Sequence, residues 1–271
     1  MPDATPGDPP ATATGPRVAA FFDVDNTIIR GASAFHLAHG LYGRGFFSLR
    51  DIAWAAAMNA RYQLFGENTE QIAEIRSSAL SIMTGHSVAE VVAIGEEVYD
   101  QVLELRIFPG TRALLDDHLA AGHQVWLVTA TPVEIGELIA RRLGATGCIG
   151  TVAEHRDGFY TGRLVGDLLH GRAKASAVQA LAERDGIDLR ASYGYGDSAN
   201  DVAVLSSLGH PVAINPDKRL RRHAREAGWP VREFRDRRRA ATRGGLRTAS
   251  WAGAAWMVGL ALRSLRRALR A

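Results

Sequence analysis

Cysteine is nearly absent from this sequence. Its 271 residues include one, Cys148, so no intramolecular disulfide can form and the fold must rest on a packed core. A lone cysteine suits a reducing compartment, and the expected location is cytoplasmic. Residues 1–16 (MPDATPGDPPATATGP) lack both a basic segment and an apolar one, which argues against a secretory signal. Five of the ten prolines fall there, and the segment reads as a disordered tail. Acid is missing from residues 237–271, where nine arginines stand. The net charge of +3 and the sequence pI of about 9.3 therefore belong to that end, and the rest of the chain is acidic. No internal repeat is visible.

Apolar residues are plentiful. At 46% hydrophobic, the chain can fill one large α/β domain with an insertion, or two modest domains. Residues 17–22 (RVAAFF) form a short run that stops at Asp23, as a strand buried on both faces would. Residues 124–128 (QVWLV) stop at Thr129, residues 192–195 at Gly196-Asp197, and residues 211–214 at Asn215-Pro216. Helical patterns over 111–121, 132–143, 174–184 and 199–208 complete the alternation. This order predicts a parallel-sheet, Rossmann-like α/β core whose polar strand ends lie where such sheets bind ligands.

Residues 33–107 interrupt the alternation. They lack alternating β-branched runs and read as several helices, a cap inserted after the first strand. Trp54, Met58, Tyr62 and Phe65 share one helical face there, and are expected to give the insert a small core of its own. The predicted organisation is a tail over 1–16, a catalytic core over 17–32 and 108–235, a helical cap over 33–107, and a basic tail with an apolar helix over 236–271. Residues 158–166 (GFYTGRLVG) predict a β-hairpin turning at Thr161-Gly162. Cys148, in the apolar run 147–151, is expected to be buried and inert.

Carboxylates gather at two of the strand ends. Asp23-Val24-Asp25-Asn26-Thr27 follows the first strand directly. Like charges so close repel unless a cation relieves them, and Mg2+, which takes carboxylate, carbonyl, water and phosphate oxygens, is the natural one. Gly196-Asp197-Ser198-Ala199-Asn200-Asp201 follows the third run. Gly196 permits a tight turn, and Asp197 and Asp201 then stand at a helix start, where the dipole favours acid. Capping accounts for one of these two and leaves the other for chemistry. A hydroxyl at a strand end, Thr129, can hold a phosphate oxygen. Lys174 can neutralise both phosphate and nucleophile. His36 and His39, without a third ligand, read as packing or surface residues, and His170 stands four residues before Lys174.

Taken together and in order, DVDNT (23–27), LVTAT (127–131), Lys174 and GDSAND (196–201) resemble the haloacid dehalogenase-like hydrolases, over roughly residues 17–235. The insert between the first two motifs resembles that superfamily's C1 cap. GDSANDVAVL and AINPDKRLRRHAREAGW resemble the subgroup containing phosphoserine phosphatase. The resemblance implies a magnesium-dependent phosphatase for a small phosphorylated metabolite. Asp23 would be the nucleophile that forms an aspartyl-phosphate, and Asp25 the acid and then the base. Mg2+ would be held by Asp23, the Asp25 carbonyl and Asp197, with Asp201 and Thr27 orienting those ligands. Thr129, Lys174 and Asn200 would serve the phosphate side. One departure concerns substrate. Phosphoserine phosphatases carry an early cap glutamate that reads the substrate ammonium. Here residues 30–35 are RGASAF, and the next acid after Asp25 is Asp51.

The arginine-rich end suggests a partner. Residues 249–262 (ASWAGAAWMVGLAL) are apolar but only 14 long, short of the ~20 that a span requires. Arginine flanks with Trp251 and Trp256 fit an interfacial helix on an anionic membrane surface, at the inner face of the membrane. Nucleic acid is disfavoured, because base-stacking platforms are not interleaved with the basic residues. Three alternatives share the same motifs: a phosphotransferase, a lipid-phosphate phosphatase at the membrane surface, and a non-catalytic membrane-associated binding protein.

Overall fold

The computed structural model of the protein describes residues 17–46 and 83–235. The Trp54–Met58–Tyr62–Phe65 stripe, the 1–16 tail and the basic end beyond residue 235 lie outside the described residues, and with them the expected membrane surface. Among the described residues no helix is long and apolar enough to cross a membrane.

The strands, in chain order, are β1 (Ala19–Asp23), β2 (Gln124–Pro132), β3 (Gly147–Thr151), β4 (Ala153–Arg156), β5 (Phe159–Leu164), β6 (Tyr193–Gly196), β7 (His210–Ile214) and β8 (Val231–Arg232). Six of them form one sheet in the order β3-β2-β1-β6-β7-β8, every pair parallel. β1 is central, and its side chains alternate between two cores. Ala20 and Phe22 pack with Val125, Leu127, Ile135 and Leu138 on one face. Ala19 and Phe21 pack with Val128, Val178, Leu181 and Val204 on the other. Such two-sided burial is why the run has no polar residue between Arg17 and Asp23. It also brings the polar ends of β1, β2 and β6 to one edge.

Helices Pro109–Ala120, Val133–Leu143, Arg172–Asp185 and Lys218–Glu226 lie between the strands. The region expected as one helix over 199–208 is shorter: a 3-10 turn, Ala199–Asp201, runs into Val202–Leu205. The hairpin also differs from expectation. Its turn is Asp157-Gly158, both with positive φ (53° and 82°), the two-residue Asp-Gly geometry that matches strand twist. Thr161-Gly162 lies inside β5, where the register shifts between Ala153 and His155.

The insert leaves and returns through paired connectors. Arg30 N–H donates to the Arg106 carbonyl (2.9 Å), and Phe108 N–H to the Ile28 carbonyl (2.9 Å). Its described helices, Ser33–Gly43 and Val88–Val98, do not stand apart from the core. Leu37, Leu41, Val91 and Ile94 join the same apolar cluster as Ile135 and Leu138 of helix Val133–Leu143. Cys148 is 7% exposed in β3, and burial pushes its thiol up to about 12, which keeps it unreactive.

Candidate active site

Asp23 closes β1, and its carboxylate meets the first positive charge of the site. Lys174, from the first turn of helix Arg172–Asp185, is 5% exposed. Its ammonium donates to Asp23 Oδ1 at 2.5 Å and to Asp201 Oδ1 at 2.9 Å. Burial works against that charge, yet the Asp23 and Asp201 carboxylates outweigh it and hold the lysine above its ordinary pKa. Asp201 is committed on both sides. Its second oxygen accepts from Ser198 N–H and Ser198 Oγ, each at 3.1 Å, closing a capping box at the 3-10 turn. Gly196 makes this approach feasible, because a Cβ there would lie 2.7 Å from Asp201 Cβ.

One carboxylate oxygen from each of Asp23, Asp197 and Asp201 lies within 4.8 Å of the other two. Lys174 pairs with two of the three. Asp197 has Arg235 at 3.9 Å, and its carboxyl is pushed up to about 7, first by burial and then by Asp201. That is a carboxylate in excess of nearby positive charge. The donors are all hard oxygens, so a divalent cation of the magnesium type fits both the chemistry and the charge deficit.

Asp25 lies outside this trio. Its Oδ1 accepts the Ser33 N–H at 2.7 Å, at the start of the inserted helix. Thr129, 1% exposed, accepts the Thr131 N–H at 3.2 Å through its hydroxyl oxygen, and so keeps its own proton to donate. Thr27 is fully buried. Its carbonyl accepts from Thr111 Oγ1 (2.7 Å), while its own hydroxyl has no partner among the described residues. Asn200 is exposed on the 3-10 turn. The sequence motifs thus converge on one edge, but unequally: Asp23, Lys174, Asp197 and Asp201 form the close cluster, and Asn200 faces outward.

Several residues that shape the site lie outside the set of site residues expected from the sequence. Asn215, fully buried at φ 46°, donates through Nδ2 to the Asn26 carbonyl (3.1 Å) and accepts Phe234 N–H (2.7 Å) and Arg235 N–H (3.1 Å). Asp217 caps helix Lys218–Glu226 through Leu220 N–H (2.7 Å) and also accepts Ala199 N–H (3.2 Å). Asn-Pro-Asp after an apolar run was the available hint, since such residues favour turns and caps. Ser33 has no comparable signal, and Thr131 closes LVTAT without any mark that sets it apart from Thr129.

Known proteins resemble this chain in sequence and fold. The model of the haloacid dehalogenase-like hydrolase family matches residues 20–206. Phosphoserine phosphatase SerB1 of Mycobacterium tuberculosis (strain ATCC 25618 / H37Rv) is 54% identical over 224 residues, spanning 82% of this chain and 73% of that protein. Histidinol-phosphatase of Neisseria meningitidis serogroup C (strain 8013) is 32% identical over 223 residues, spanning 80% and 98% respectively. A solved protein of unknown function from Bordetella pertussis Tohama I aligns with a TM-score of 0.72 at 31% identity, over 81% of this chain and 100% of that one.

Proposed function

The chain belongs to the haloacid dehalogenase-like hydrolases, and on that premise we propose that it is a magnesium-dependent phosphomonoester hydrolase acting through an aspartyl-phosphate on Asp23. The observation that carries this reading is the buried ion pair between Lys174 and Asp23, at 2.5 Å. It fixes one oxygen of a carboxylate at a strand end and leaves the other to attack phosphorus.

Asp23, Asp197 and the Asp25 main-chain carbonyl would hold the magnesium ion, which neutralises phosphoryl charge when bound. The chain's own groups do the rest. The free Asp23 oxygen bonds to phosphorus as the ester P–O bond breaks, and Asp25 gives its proton to the departing oxygen. Thr129 and Lys174 bind the phosphoryl oxygens, so charge stabilisation and positioning supply most of the acceleration. Asp25, now a carboxylate, takes a proton from water as that water attacks phosphorus, which releases phosphate and restores Asp23. Asp201, held by Lys174 and Ser198, keeps the ammonium and the loop in register.

The substrate in this reading is a small phosphorylated metabolite, and phosphoserine is the first candidate because a relative 54% identical carries that name. Phosphate release from phosphoserine, histidinol phosphate and an aryl phosphate, with and without Mg2+, tests it. Quenched turnover should trap an acid-stable, base-labile phosphoprotein that Asp23→Asn abolishes without unfolding the chain. Turnover retained in Asp23→Asn would refute the nucleophile.

A further inference from the structure

We propose that Ser33 and Thr131 are positioning residues for Asp25, and that contact between their hydroxyls sets the Asp25 carboxylate for proton transfer by seating the first turn of the inserted helix on the end of β2. This rests on the reading of Asp25 as the general acid.

The argument begins with an uncapped helix. Helix Ser33–Gly43 starts after Ala32, whose side chain cannot accept a hydrogen bond. The first N–H groups of a helix have no partner within it. Here the Ser33 N–H is met by Asp25 Oδ1 at 2.7 Å. One oxygen of the acid is therefore fixed by the helix start, and its position depends on where that start lies.

A second contact fixes the helix start. Ser33 is fully buried and its Oγ lies 3.0 Å from Thr131 Oγ1, with Thr131 only 3% exposed. Two buried hydroxyls at this distance are each other's remedy for lost hydration. Thr131 in turn donates its N–H to Thr129 Oγ1 at 3.2 Å. A continuous polar chain thus runs from Asp25 through Ser33 and Thr131 to Thr129, joining the acid, the insert and the phosphate-side hydroxyl.

The link between Asp25 and Ser33 is short and tied down. Asn26, at φ 61°, donates its N–H to the Ile29 carbonyl (2.7 Å), and its Oδ1 accepts the Gly31 N–H (3.1 Å). A shift of the helix start therefore moves the hydrogen bond on Asp25 rather than being absorbed by slack. Ser33 belongs to the insert and Thr131 to the core, so their contact reports whether the insert is seated.

A misplaced acid has a distinct kinetic signature. Proton donation matters most when the departing oxygen is a poor leaving group and least when it is a good one. The test is turnover on an alkyl phosphate and on p-nitrophenyl phosphate by Thr131→Val, Thr131→Ser, Ser33→Ala and Asp25→Asn, each first shown to melt cooperatively. Ser33→Ala breaks the hydroxyl contact while keeping the backbone donor on Asp25, so it serves if Thr131→Val does not fold. In kcat/KM, which reads formation of the aspartyl-phosphate and not the shared hydrolysis of that intermediate, the expected result for Thr131→Val and Ser33→Ala is a loss of roughly 10- to 100-fold on the alkyl ester, with under about threefold on the aryl ester. Thr131→Ser should restore the wild-type ratio, and Asp25→Asn should show the same selectivity more strongly. Equal losses on both esters in Thr131→Val and Ser33→Ala, with selectivity kept in Asp25→Asn, would overturn the positioning role alone. Equal losses in Asp25→Asn would overturn the acid assignment, and the inference with it.

Discussion

The Lys174 ammonium lies 2.5 Å from Asp23 Oδ1 although 151 residues separate them in the chain. The same nitrogen reaches Asp201 Oδ1 at 2.9 Å, so a single buried cation ties the end of β1 to the turn after β6. Both partners are nearly removed from water, with side-chain exposures of 6% for Lys174 and 11% for Asp23.

Removing that cation leaves two buried carboxylates facing each other. Lys174→Met, which keeps most of the volume, is expected to cost about 3–5 kcal/mol in denaturant unfolding, because an uncompensated buried charge remains. Turnover should fall at least ~100-fold with the loss of phosphoryl charge stabilisation. Wild-type stability in this variant would show that the pair contributes nothing net.

Chelation should stop turnover and added Mg2+ should restore it. Asp197→Asn removes one proposed ligand, and is expected to raise the Mg2+ concentration for half-activity by at least roughly 10- to 100-fold. Metal binding to the folded state also stabilises it by mass action. The Mg2+-dependent rise in Tm should therefore shrink in Asp197→Asn. An unchanged rise would place the ion elsewhere.

Acid should weaken the fold through His118. This histidine lies 2.8 Å from His123 (Nδ1 to Nδ1) and 2.8 Å from the Tyr195 hydroxyl. Burial first, and His123 second, pull its pKa down to about 4. The unfolded chain, near 6.5, takes up the proton sooner. The stability contribution is therefore complete above about 6.5 and is lost as pH falls toward 4, at ~1.4 kcal/mol per unit and at most about 3 kcal/mol. Comparing unfolding of wild type and His118→Phe between pH 7 and 4 isolates it: the variant should show the shallower loss.

Gly196→Ala should damage both fold and activity. The added methyl would sit 2.7 Å from Asp201 Cβ and 3.0 Å from its Oδ2, so the Asp201 loop must shift. Overpacking of this kind costs about 1–3 kcal/mol, and moving Asp201 loosens its grip on Lys174. Full activity in a folded Gly196→Ala protein would mean that the loop position is not critical.

Much of this was legible in the sequence because it is local. Five residues, 18–22, with no polar side chain before Asp23 point to a strand covered on both sides, and β1 is one. The carboxylates at 23, 25, 197 and 201, the hydroxyl at 129 and the lysine at 174 come in the expected order, although β2 runs on past Thr129 to Pro132 and Lys174 lies in the first turn of its helix. Lys174 is also one of only two lysines among 32 basic residues. The hairpin was misplaced by its turn, because Asp157-Gly158 was the stronger signal and Thr161-Gly162 marks only a register shift in β5.

The amino-acid order alone determined which residue types end each strand, and hence that acid, hydroxyl and lysine would share one edge of a parallel sheet. Tertiary structure alone decided which oxygens they use. Lys174 spans Asp23 and Asp201, Asp25 turns to the backbone of Ser33, and Ser33 meets Thr131 across 98 residues. Hydrophobic periodicity reports which face of an element is buried, but hydrogen bonds between buried side chains depend on ångström-scale approach between elements distant in the chain. Such contacts leave no periodic trace.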